Sequence, residues 1–224
     1  MLRPKKKITK KEIQRDPFLE SVDKAQAHLE ENRSKYLQLG LVLLILLFGY
    51  NVITDKQSQL DIDASASLGD ALLTLDRDDL TTAQFQLETV LNEYDNTPSA
   101  SVAEFYLGKM SYNADDKEEA GRFLNSYLKK NPKGFLAASA SIMLADIAAN
   151  GSQLKEGIQI LEKGIRNVNS KKDLRLLQLR KAELELRQGN KDIAKSIVEE
   201  LLSEDDITNW NKQIAQEILG RIVS

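Results

Sequence analysis

Four turn-like clusters recur at one spacing, and they constrain the fold more than any other feature of the chain. They are Asp76-Arg77-Asp78-Asp79, Asn113-Ala114-Asp115-Asp116, Asn150-Gly151-Ser152-Gln153 and Arg187-Gln188-Gly189-Asn190, each beginning 37 residues after the one before. The register holds in the flanking segments. Before the turns stand Ala71, Gly108, Ala145 and Ala182, followed four positions later by Leu75, Tyr112, Ala149 and Leu186. After the turns stand Ala83, Ala120, Gly157 and Ala194, then Leu87, Leu124, Leu161 and Val198, then Leu91, Leu128, Ile165 and Leu202. Steps of four keep a column on one helix face. The pattern predicts a helix–turn–helix unit in each repeat, with small residues where two backbones approach and larger ones filling the gaps. One such hairpin cannot bury its apolar face alone, so neighbours must stack.

The rest of residues 55–224 agrees with an all-α array. Ala, Leu, Lys, Glu and Asp dominate, aromatics and prolines are few, and no alternating run is flanked by turn residues. A last segment, Ile207 to Val223, predicts a lone helix capping the stack through Ile214, Ile218 and Ile222, with Trp210 packing near its start.

Ahead of the array lies a charge-free apolar run, Leu37 to Ile53. As a helix it spans roughly 26 Å at about 1.5 Å per residue, enough with Tyr36 and Thr54 for a bilayer core of about 30 Å. A buried core helix is the competing reading, but nothing else in the chain is apolar enough to surround one. A cleaved signal peptide fits poorly, because 36 residues precede the run and no small-x-small site follows it. The expectation is an uncleaved signal anchor at 36–54, a basic cytoplasmic tail at 1–35 and an exported domain at 55–224.

Charge sets the expected direction. Residues 1–35 carry ten Lys+Arg against six Asp+Glu, a net of +4, whereas 55–224 carry 21 against 28, a net of −7. Lys and Arg near the ends of a span hold their side in the cytoplasm, so the array is expected on the exported, periplasmic side of a bacterial inner membrane. Asp16-Pro17 reads as a helix start in the tail, with Phe18, Val22, Ala25 and Leu29 at helical spacing. This narrow stripe suits anionic lipid, a membrane partner or simply a solvated topology signal. The absence of cysteine excludes a disulfide framework.

The second repeat carries a family resemblance. Leu107-Gly108, Ala120, Leu124, Tyr127 and Pro132, within YLGKMSYNADDKEEAGRFLNSYLKKNP, resemble the tetratricopeptide repeat. The likeness runs over residues 64–206. The sequence departs from the family in its period, 37 against about 34, and in having Ser67, Glu104, Ser141 and Gln178 where an early aromatic usually stands. The fold implied is a single transmembrane helix followed by an α-solenoid of four degenerate tetratricopeptide-like helix pairs and a capping helix. The layout of tail, anchor and exported array also resembles the ancillary subunit family of the bacterial SecYEG translocon. That resemblance implies a place beside the translocon, handing exported clients to periplasmic chaperones.

In tetratricopeptide arrays the first helix of each pair lines a groove. Its positions map onto Phe105, Lys109, Tyr112 and Asn113, onto Ile142, Asp146 and Asn150, and onto Leu179, Glu183 and Arg187. Such a mixture suits an extended or helical peptide. The apolar members have core packing as their competing reading, and the polar ones solvation.

Chemistry has little to work with. The lone histidine, His28, lies in the tail, and there is no cysteine, so the array holds no imidazole or thiol nucleophile and no such metal ligand. Glu118-Glu119, Glu199-Glu200 and Asp205-Asp206 sit where solvated helix faces and ends would put them, and an acid–base pair needs one member in an apolar setting. Asp61-Ile62-Asp63 lacks the glycine and distal Glu of a calcium loop. No Gly-rich phosphate loop is present, and an acidic array disfavours nucleic acid. The expectation is no catalysis and no cofactor. Two functions remain open: an adaptor or holdase at the export machinery, and an envelope scaffold for cell-division or outer-membrane-assembly proteins.

Overall fold

The computed structural model describes residues 21–22, 26, 28 and 32–223, excepting the side chains at 36–37, 39–40 and 45–55. Most of the tail stripe, including Phe18, Ala25 and Leu29, lies outside the described residues, as do most side chains of the apolar run. Two compact units divide the chain, Met1–Ser58 and Gln59–Ser224. Among the described residues every regular element is helical: α1 (Arg33–Asp76), α2 (Leu80–Glu93), α3 (Pro98–Asn113), α4 (Lys117–Lys130), α5 (Ala137–Asn150), α6 (Leu154–Asn167), α7 (Lys171–Gln188), α8 (Lys191–Leu202) and α9 (Asn209–Val223).

In the first unit, the described apolar side chains on α1 lie open. Leu41, Val42, Leu43 and Leu44 are 52–60% exposed. Four successive residues on a helix point around most of its circumference. Among the described residues, no helix is long and apolar enough to cross a membrane.

The second unit is a stack of helix pairs: α1 with α2, α3 with α4, α5 with α6, α7 with α8, and α9 at the end. The pairs break at one repeated turn. Asp78, Asp115, Ser152 and Gly189, each 37 residues after the last, all take a positive φ (62°, 59°, 68° and 93°). That left-handed step reverses the chain within two or three residues. The following residue starts the second helix: Asp79 accepts from the Thr82 amide at 3.2 Å, and Asp116 from the Glu119 amide at 3.1 Å, each satisfying an orphan donor of the first turn. Thr97 does the same for α3, accepting from the Ala100 amide at 3.1 Å, with Pro98 at the first helical position.

The predicted columns build the core. Ala71, Ala145 and Ala182, Ala83, Ala120 and Ala194, and Leu87, Leu124, Leu161 and Val198 are all completely buried. Each side chain of Leu or Val size contributes about 1.5–3 kcal/mol. Two glycines of these columns sit where helices approach closely. A Cβ on Gly108 would stand 2.8 Å from Leu124 Cγ, and one on Gly157 would stand 2.8 Å from the Ala145 carbonyl oxygen.

Four apolar clusters follow in order, and each joins one pair to the first helix of the next. Ala71, Leu87 and Val90 pack with Ala103 and Leu107. Ala120, Leu124 and Tyr127 pack with Ala140 and Leu144. Ile158 and Leu161 pack with Leu177 and Leu184. Val198 and Leu201 pack with Ala215 and Ile218 of the capping helix. No pair closes its own core, which is what a stacked array requires. The first helices also touch one another, α3 with α5, α5 with α7 and α7 with α9, whereas consecutive helices among α2, α4, α6 and α8 do not. The first helices therefore form the tighter, inner row.

Candidate interaction surface on the first helices

The inner row carries the residues expected to line the groove, and the structure sorts them into three groups. Phe105 is 3% exposed and packs edge-to-face on Tyr106 and Tyr127, with ring centroids 5.4 and 5.6 Å apart. It is a core residue of the second and third repeats and offers no contact to a ligand. Leu179 is likewise buried, and Ile142 packs against the core of the third repeat.

The second group forms a chain of polar contacts across the repeats. Tyr112 on α3 donates its hydroxyl to Asp146 Oδ2 on α5 at 3.3 Å. Arg180 on α7 donates Nε to Asp146 Oδ1 at 2.6 Å and reaches Glu183 with Nη1. Arg221 on α9 lies 3.9 Å from the other Glu183 oxygen. Three first helices and the capping helix are thus linked. Asp146 is 8% exposed, and burial pushes its carboxyl above the ordinary value while Arg180 and Tyr112 pull it back. Burial opposes the charge on Arg180, but Asp146 and Glu183 outweigh it and hold the guanidinium above its usual value. Burial, then the Asp146 charge, raises the Tyr112 hydroxyl.

The third group is open. Lys109, Asn113, Asn150 and Arg187 are exposed. Lys109 stands 5.8 Å from the Tyr106 ring centre. Lys109 and Asn113 line a cleft of about 530 Å³ between the first two turns, with Leu75, Leu80, Met110 and Asp116. Arg187 reaches back to the Ala149 carbonyl oxygen at 3.5 Å. The open set is mixed in charge and hydrogen-bonding character, with apolar patches in the cleft, as suits a peptide. Among the described residues, no group of three His, Cys, Asp or Glu side chains could hold a metal ion.

Sequence reading missed Arg180, the hub of the polar chain. Its signal is a spacing of 34: Tyr112, Asp146 and Arg180 follow one another at that interval. The column register is 37, so each partner sits one helical turn before the equivalent position.

The model of one protein family, the tetratricopeptide repeat-like domain, matches residues 26–196. The chain belongs to this family. Its tetratricopeptide-like repeats make it a protein–protein interaction module, because stacked helix pairs present an extended binding surface. A crystal structure of nearly identical TPR-like repeats from Podosopora anserina is similar in fold, with a TM-score of 0.53 at 14% identity over 73% of this chain and 94% of that one. No curated protein matches the chain.

Proposed function

We propose that the protein is a membrane-tethered adaptor or holdase, binding protein segments along the exposed part of its first-helix row and linking exported proteins to chaperones at the Sec translocon. The row carries the reading. Lys109, Asn113, Asn150 and Arg187 stand open along three successive repeats, on a face whose own polar groups are already tied together beneath them. The role is binding without catalysis, with no cofactor.

The tether rests on the charge-free run from Leu37 to Ile53 and on the +4 against −7 asymmetry about it. The open Leu41–Leu44 stretch on α1 supports it, since a helix apolar on all sides needs an apolar surround. The family match begins at residue 26, so it takes in this run together with the repeats. The place at the translocon rests on the resemblance in layout.

Crosslinking of the intact protein in its own cells tests the proposal. Translocon subunits, periplasmic chaperones and exported clients are the expected partners. Cell-division or outer-membrane-assembly proteins in their place would make the protein an envelope scaffold instead.

A further inference from the structure

The first helix of the first repeat has a face with no preceding repeat to cover it. Ile62, Ala66, Gly69 and Leu73 lie at steps of four, three and four, on one side of α1. All four are exposed, Ile62 by 59% and Leu73 by 58%, and a Cβ added at Gly69 would meet nothing within 4 Å.

The array itself shows what these positions do elsewhere. One repeat on, Ala103, Tyr106 and Met110 sit in the cluster built with Leu87, Val90 and Leu91 of α2. Two repeats on, Leu136, Ala140, Met143 and Ile147 sit with Leu124, Tyr127 and Leu128 of α4. Three repeats on, Leu177 and Leu184 sit with Ile158, Leu161 and Ile165 of α6. In every later repeat the face receives the second helix of the repeat before. The first repeat keeps the face, uncharged and with small residues at its middle, and among the described residues no such helix is seated on it.

We propose that Ile62, Ala66, Gly69 and Leu73 dock an amphipathic helix of a partner protein, seated as α2, α4 and α6 are seated on the repeats that follow them. Its apolar residues recur at steps of three and four. Its flanks are basic, because residues 59–76 of α1 hold four Asp and no Lys or Arg, with Asp63 and Asp70 exposed beside the stripe. A second copy of this chain would bring its own α1 face, with Asp63 and Asp70 exposed beside it, against like charge, and among the described residues its second helices are not free. Each of α2, α4, α6 and α8 is already packed between two first helices. The surface is separate from the first-helix row and extends the array by one helix at its start.

The test is photo-crosslinking in the protein's own cells, with a photoreactive residue at Ala66 of the full chain and a control at Lys155, exposed at the start of α6. The expected adduct joins position 66 to one partner, and the linked peptide is a helix with that stripe and Lys or Arg at its flanks. Adding Gly69→Lys should reduce the adduct at least tenfold while the thermal midpoint holds, since the new side chain enters open space. Lys109→Glu with Arg187→Glu, on the first-helix row, should leave the adduct unchanged. The proposal is overturned by adducts no stronger than the control, by adducts only to a second copy, or by a linked peptide without the stripe. Survival of the adduct in Gly69→Lys, or its loss in the double variant, would overturn it equally.

Discussion

Arg180 holds Asp146 across the boundary between the third and fourth repeats, with Nε 2.6 Å from Oδ1. The carboxylate is buried and its other oxygen accepts from Tyr112. The guanidinium also serves Glu183, which faces Arg221 on the capping helix. Removing Arg180 therefore strands a buried charge. Arg180→Met is expected to cost about 2–4 kcal/mol at neutral pH.

The pH dependence of that loss has a definite sign. Asp146 already sits above the ordinary carboxyl value through burial, and Arg180 is the main group lowering it. Without Arg180 its folded pKa rises further. A raised folded pKa means that the folded state binds the extra proton, so stability falls as pH climbs from the ordinary carboxyl value through the raised one. Denaturant melts of Arg180→Met should show a smaller deficit at pH 4 than at pH 7, and Asp146→Asn should rescue part of the deficit at pH 7. An equal deficit at both pH values would show that the lost guanidinium acts through packing alone.

Two helical glycines should respond in opposite directions to the same substitution. An added Cβ at Gly157 meets the Ala145 carbonyl oxygen at 2.8 Å, whereas one at Gly121 meets nothing within 4 Å. Gly157→Ala is expected to cost about 1–3 kcal/mol by forcing α5 and α6 apart. Gly121→Ala is expected to gain about 0.5–1 kcal/mol from helix propensity. Urea midpoints of the two variants check the pair, and a stabilised Gly157→Ala would place the α5–α6 contact elsewhere.

The repeated turn gives a second opposed pair. Ser152 takes φ 68°, where Gly189 stands in the next repeat at φ 93°. A non-glycine residue is strained by about 1–2 kcal/mol in that region. Ser152→Gly should raise the melting temperature and Gly189→Ala should lower it. Two shifts of the same sign would contradict the shared turn geometry.

Much of the fold is legible in the chain because the array repeats its own chemistry. The small columns at Ala71, Ala145 and Ala182 are read directly from spacing and are all fully buried. The surface is less legible. Lys109 and Arg187 are open as expected, but Phe105 turns into the core between α3, α4 and α5, where Tyr106 and Tyr127 enclose it. Whether a first-helix residue faces outward depends on what the next repeat places opposite, and a single column does not carry that information. The polar chain escaped for a related reason. Tyr112, Asp146 and Arg180 are linked at 34 residues, one turn short of the register that organises the apolar columns.

The proposed topology can be tested by labelling because the chain has no cysteine. A single cysteine at Thr9 should be shielded from an impermeant thiol reagent in intact cells, and one at Ser152 should react. The opposite labelling would reverse the proposed topology.

Binding through the first-helix row is tested most directly by reversing its two open cations. Lys109→Glu with Arg187→Glu changes only exposed side chains, so the circular dichroism spectrum and melting midpoint should stay within those of the wild type, about 0.5 kcal/mol for each surface change. In intact cells the crosslinks from the array to translocon subunits, chaperones or exported clients should fall several-fold. Undiminished crosslinks from a fully folded double variant would contradict the account.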